Sequence, residues 1–378
     1  MQKERLAYID NLRLLMIVFV VMMHLAVTYS GLGNWYYKEG VPIGVVSMAV
    51  FGYCQSFTQG YFMGLLFLIA GYFAPGAYDR KGFGRFLLDR FVRLGIPALI
   101  YMLAIQPFIL YVLLGGHGAA PSIGFLSYYA EYIGSFSFLG GNGPLWFALA
   151  LLAFCFCYAL ARLVLPKRRQ AVREARVTTA GAVCLILSIA VLAFLIRLVQ
   201  PIGTSVMNMQ LGYFAQYIVL FVVGVLACRH GLFTRIEYEK SRRWLRLAMG
   251  PGVIVWLGIM LLGGVLNGNQ NYNGGLSWQA AAFALWESFT AVAMCIGLIG
   301  LFREKYNNQP QWAKTLSDNA FAVYVFHPPI VIAAAQLFAP VSLSPAAKFI
   351  MLCILAIPLC FVTAHLLIRR IPLLKKVM

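Results

Sequence analysis

"DNLRLLMIVFVVMMHL", Asp10–Leu25, decides the fold class. Ten uninterrupted apolar residues separate Arg13 from His24, and apolar neighbours extend the run to the roughly 20 residues a helix needs to cross a hydrocarbon core. On an α-helix eleven steps turn through about 1,100° and climb about 16 Å, so Arg13 and His24 share one face at two depths. A charge and an imidazole set in lipid-length apolar sequence are costly, which makes both candidates for function.

The rest of the chain repeats the pattern. With 61% hydrophobic and 11% charged residues, it carries more apolar side chain than a soluble globule can hide. Apolar segments of crossing length read off at 9–30, 44–75, 86–114, 142–165, 178–200, 211–229, 244–266, 279–302, 317–339 and 346–368. The expectation is an all-α polytopic membrane protein of about ten transmembrane helices, a single domain over 1–378 with no appended soluble domain. The second and third segments exceed the bilayer thickness, so they must tilt, break or protrude. Nothing before Asp10 resembles a cleaved signal peptide.

Charge placement tests the count. Of the 30 Lys and Arg residues, 26 lie before the first segment, after the last, or in alternate connections. Only Lys38, Arg197 and Lys348 fall on the other side, and Arg13 lies within a segment. The positive-inside rule then puts both termini in the cytoplasm. The net charge of +18 thus reads as orientation and contact with anionic lipid, not as a nucleic-acid surface.

Cysteine carries little information: Cys155 and Cys157 are two apart, which points them in different directions on a helix, and no metal-ligand or disulfide pattern emerges. No phosphate-binding glycine motif or nucleophile elbow is present; glycine within the segments reads as close helix packing.

Few polar groups remain inside the apolar segments: Arg13, His24, Glu287 and His327, with Asp10 and Asp318 near segment ends. Each has a structural reading beside the functional one. His24 can be a neutral core histidine, and Arg13 can snorkel or pair with Asp10. Glu287, in "LWESF", can accept hydrogen bonds or carry a proton. His327 precedes Pro328 and Pro329, whose missing N–H groups free backbone carbonyls, so it either lines a cavity or satisfies a kink. Trp146 follows Pro144 at a segment start, where an indole anchors at the interface or lines a site.

Taken in order, several stretches resemble the acyltransferase 3 family of membrane O-acyltransferases. These are "RLAYIDNLRLLMIVFVVMMH" (Arg5, Asp10, Arg13, His24), "LLFLIAGYFAP" (Leu65–Pro75), "RFLLDRFVRLGIP" (Arg85–Pro97), "GPLWFALALL" and "YVFHPPI". The family's hallmark is an arginine and a histidine separated by ten residues. Ala70 departs from the serine often found before Gly71–Tyr72, and "RLGIP" is similar to the ending in glucan succinyltransferases of the periplasm. The resemblance implies transfer of a short acyl group, acetyl or succinyl, from cytoplasmic acyl-CoA to a hydroxyl of an extracytoplasmic carbohydrate, in the inner membrane of a bacterium. His24 would be the general base, with Arg13 and Glu287 beside it in the chemistry. Arg13, Arg85, Arg90, Arg93 and Trp146 would hold the acyl-CoA, and Arg5, Asp10 and His327 would support the site. Glycan contact is expected from the weakly charged, Gly-, Asn-, Ser- and Tyr-rich connections 115–141 and 267–278, which also read as solvated turns. A proton-coupled transporter of a small metabolite or lipid-linked sugar is the competing reading, since buried histidines and a glutamate suit a proton relay; no internal repeat relating the two halves supports it.

Overall fold

The computed structural model describes residues 6–115, 123–164, 176–367 and 370–371. Arg5 lies outside them. The described residues form α1 (Ala7–Ser30), α2 (Val45–Gln59), α3 (Phe62–Arg90), α4 (Phe125–Gly134), α5 (Trp146–Val164) and α6 (Thr179–Val199). These are followed by α7 (Phe214–His230), α8 (Tyr238–Met249), α9 (Pro251–Leu262), α10 (Trp278–Lys305), α11 (Gln311–Phe338) and α12 (Pro345–Leu366). Between Phe91 and Leu113, α3 is prolonged by helix that widens into π turns at Phe91–Gly95, Tyr101–Ile105 and Ile109–Leu113. Among the described residues the protein is all-α, with one isolated bridge between Val206 and Met209.

Among the described residues, nine stretches are long and apolar enough to cross a membrane, and one of them, Val45–Leu113, runs for 69 residues. Two breaks divide it. The polar sequence "QSFTQG" ends α2 at the outer end of the bundle: Gln55 donates to Ser30 at the end of α1 (2.9 Å) and Gln59 donates to Tyr217 in the first turn of α7 (3.1 Å). The second break is Gly82, at φ 71° and ψ 176°, a conformation glycine adopts without a Cβ clash. Before it, α3 runs alongside α5 in the same direction, Phe67 packing on Phe147 and Asp79 reaching Arg162. After it the order reverses, Phe86 lying by Tyr158 and Tyr101 under Gly143. The chain therefore folds back at Gly82, and the described residues make ten passes. The expected second segment at 44–75 is corrected to a crossing that starts at Phe62, because the side chains of Gln55 and Gln59 hold α2 at one face.

Small residues set the closest crossing. A Cβ at Gly71 would run into the Phe221 carbonyl, and one at Gly224 into the Leu68 carbonyl, so α3 and α7 meet backbone to backbone. On the face carrying the basic connections, Asp79 joins three helix ends. Arg229 grips it bidentately (2.6 and 3.1 Å), and Arg162 approaches it at 3.3 Å. The most enclosed crossing is α10, 83% buried against 28% for α12; it packs against α1, α3, α6, α8 and α9.

Candidate active site

At the end of the bundle away from the basic face, a cavity of about 750 Å³ opens between α1, α2, α7 and the connections before α5 and α7. Its size falls within the range of about 300–1,000 Å³ usual for small-molecule sites. Val20, Met23, His24 and Val27, one stripe of α1, form one wall. The uninterrupted helix Ala7–Ser30 thus carries His24 to the cavity and leaves Arg13 at its other end.

The segment after α1 folds back over His24. Gly31 terminates the helix in the left-handed region (φ 70°), its N–H reaching the Val27 carbonyl, and Glu39 N–H returns to the Thr28 carbonyl at 3.0 Å. Glu39 also forms a buried ion pair with Lys348 at the start of α12. This strap lays Trp35 flat on the His24 imidazole, ring centres 3.6 Å apart at 15°.

From α11 comes His327, its ring 5.2 Å from that of His24 and nearly parallel to it. Pro328 lacks the N–H that would bond to the Tyr324 carbonyl in a regular helix. His327 Nδ1 takes that place, donating to the carbonyls of Tyr324 (2.9 Å) and Val323 (3.2 Å), so α11 continues through both prolines. Two carbonyl partners fix the proton on Nδ1 and leave Nε2 as an acceptor. That atom is buried without a hydrogen-bond partner among the described residues, as is the Trp35 indole N–H.

Tyr36 bonds to Tyr101 (3.0 Å) and donates to Gln106, linking the strap to the π-helical stretch. Burial pushes the Tyr36 phenol up to about 12, which keeps it neutral near pH 7. Trp146 lines the opposite wall, stacked on Tyr217 at 5.6 Å, while Tyr324 donates to the Pro144 carbonyl. At the rim, Met207 and Asn208 have φ of 50° and 62°, strained for residues with a Cβ. Asn208 there donates to Asn142 (2.9 Å) and to the Gly143 carbonyl (2.8 Å), closing the turn that leads into α5.

Several residues singled out from sequence lie elsewhere. Glu287 is buried in an ion pair with Arg197, whose Nε donates to the Gly212 carbonyl at 3.0 Å. The cavity wall does not include it. Arg197, read as a residue of an outer connection, sits within the last turn of α6 and is fully buried. Arg13 is 48% exposed with Asp10 at 3.5 Å. Met16 and Ile17 are packed into the core, and on α1 the cavity ends at Val20. The shared face that joins Arg13 to His24 is thus filled by apolar side chains and is not part of this cavity. Arg85 is exposed at the basic end of α3 and Arg93 pairs with Asp89 at 3.3 Å. Arg90 lies over the Phe86 ring with its Nε buried and unpartnered.

Sequence reasoning missed Trp35, Tyr36, Tyr101 and Gln106. Two signals were there: the aromatic cluster in "NWYYKEG" just past a helix end, and a lone glutamine beside a proline in the apolar "AIQPF".

No curated protein and no solved structure matches the chain. The family model described as an acyltransferase domain matches residues 6–365, a stretch that takes in the cavity and both histidines. With a histidine-floored cavity inside a polytopic bundle and nearly its whole length covered by that match, this chain belongs to the acyltransferase 3 family and is a membrane acyltransferase.

Proposed function

We propose that the protein transfers a short acyl group, acetyl or succinyl, from acyl-CoA on the cytoplasmic side to a hydroxyl of an extracytoplasmic carbohydrate. The observation that carries this reading is the enclosure of His24 by Trp35 and His327 at a cavity on the face away from the basic connections. By the positive-inside rule that face is extracytoplasmic.

In this reading the acceptor hydroxyl enters the cavity and His24 takes its proton as the oxygen attacks the thioester carbonyl. The tetrahedral intermediate collapses, the ester forms, the carbon–sulfur bond breaks, and the imidazolium returns its proton to the departing CoA thiolate. Trp35 fixes the imidazole plane by stacking. His327, its tautomer set by two carbonyls, offers a neutral lone pair beside His24 and adds no positive charge that would oppose protonation of the base.

In this reading Arg85, Arg90 and Arg93 hold the 3′-phosphate and pyrophosphate of CoA through charge-assisted bonds, and Arg13 guides the pantetheine arm; their position at the basic end supports it. The acyl end must then pass the packed segment of α1 around Met16 and Ile17 to reach His24, so donor binding is expected to open that segment. Glu287 is better explained by its Arg197 partner than by chemistry.

Incubation of the purified protein in micelles with labelled acetyl-CoA or succinyl-CoA and a panel of neutral glycans tests the reading: an acylated acceptor, absent with His24→Ala, is expected. Transport of unmodified sugar into vesicles without acylation would instead favour the transporter.

A further inference from the structure

Next to the catalytic cavity lies a second, open cleft of about 530 Å³ between α4 and the π-helical stretch. The two share Gln106 and Gly140 in their walls. We propose that this cleft is a subsite for a neutral oligosaccharide, binding units of the acceptor chain that lie beyond the one presented to His24; the assignment rests on the transferase reading above.

The lining carries the argument. Tyr128, half-buried, lines the cleft with its ring 6.2 Å from that of the buried Tyr132 behind it, and sugar rings pack their C–H faces on such aromatic surfaces. Ser135 and Ser137, with hydroxyls 2.8 Å apart, and the exposed Glu131 supply donors and acceptors for sugar hydroxyls around those rings. Glu131 is the charged residue in the lining, and it repels anionic chains.

The wall is built rather than incidental. Tyr132 donates to the Met102 carbonyl (2.8 Å) and Tyr129 to the Leu103 carbonyl (3.0 Å), both within the π turn Tyr101–Ile105. Tyr111 donates to the Ile123 carbonyl ahead of α4 (3.0 Å). At the junction Gly141 packs directly on its neighbours, a Cβ there falling 2.5 Å from the Tyr132 hydroxyl and 2.9 Å from Gln106 Cγ, so only glycine lets the wall close up against Gln106. The expectation from sequence that 115–141 is an irregular connection is thereby corrected over 125–134, where a helix presents the tyrosines. A one-unit acceptor would leave this second space unused; a chain of several units fills both.

The test is binding of neutral oligosaccharides, from monomer to hexamer in glucose, galactose and N-acetylglucosamine series, to the full-length protein in micelles without acyl donor. At least one series is expected to tighten about 10-fold with length, a gain that Tyr128→Ala abolishes while leaving monomer affinity unchanged. Glu131→Gln is expected to relax the rejection of anionic oligomers without changing thermal stability. Length-independent affinity in every series, equal weakening of monomer and hexamer by Tyr128→Ala, or competition by glycerophosphoglycerol with no response to any sugar would each overturn the subsite. Length-dependent binding lost in Tyr128→Ala, together with no acyl transfer from either acyl-CoA, would support the subsite and refute the transferase reading.

Discussion

At one end of α1, Arg13 keeps 48% of its side chain exposed with Asp10 within 3.5 Å; at the other, His24 lies under the Trp35 indole with the His327 imidazole beside it. Ten residues of one uninterrupted helix separate the two environments. The basic end handles charge in the open, where arginines can exchange a protein carboxylate for a substrate phosphate at little cost. The far end buries its polar groups, so each charge there is paired, Glu39 with Lys348 and Arg197 with Glu287, while His24 is covered by an indole. Polarity is thus distributed along the bundle according to what each end must do.

The sharpest attack on this comparison is His24→Ala. Transfer should fall by about 10²- to 10⁴-fold, the usual contribution of a positioned base, while acyl-CoA binding at the basic end stays intact. Equal loss of binding and turnover would mean that the two ends are not separable.

Next in size is the enclosed pair Arg197–Glu287. Arg197→Met leaves a buried carboxylate uncompensated and should cost about 3–5 kcal/mol, read as a large drop in thermal midpoint. The double replacement Arg197→Met with Glu287→Met should recover most of that loss and retain transfer. A stable double variant with no activity would return Glu287 to the chemistry.

A smaller effect is expected where the strap over His24 is fastened. Lys348→Met removes the partner of Glu39 and should cost about 1–3 kcal/mol. Transfer should fall more than donor binding, because Trp35 loses its fixed position. Unchanged turnover would show that the strap needs no such anchor.

The smallest change in stability belongs to the basic end. Arg93→Ala breaks an exposed pair with Asp89 and should alter folding by less than about 1 kcal/mol. It should nevertheless raise the KM for acyl-CoA several-fold while kcat is retained. A fall in kcat at constant KM would place Arg93 in something other than donor docking.

Some of this was legible without coordinates. Hydropathy runs and the lopsided placement of Lys and Arg set an all-α bundle of about ten passes, since lipid offers a backbone no other hydrogen-bond partners. Spacing alone put Arg13 and His24 on one helix at two depths. The proline pair after His327 announced freed carbonyls, and the structure has that histidine donating to the one Pro328 releases.

What only the tertiary structure decided are the long-range meetings. That Trp35 covers His24 depends on a left-handed cap at Gly31 and on an ion pair 309 residues apart in sequence. That Glu287 faces Arg197 depends on how α6 packs against α10. The fold-back at Gly82 was legible as the basic connection between the segments 44–75 and 86–114, whereas the break at the end of α2 was hidden, because the apolar run continues across it and only the partners of Gln55 and Gln59 reveal it. The amino-acid order fixed which segments enter the membrane, because transfer free energy is a local sum over side chains. Which buried polar groups found one another was settled by helix packing, where each group had to meet a partner contributed by a distant part of the chain.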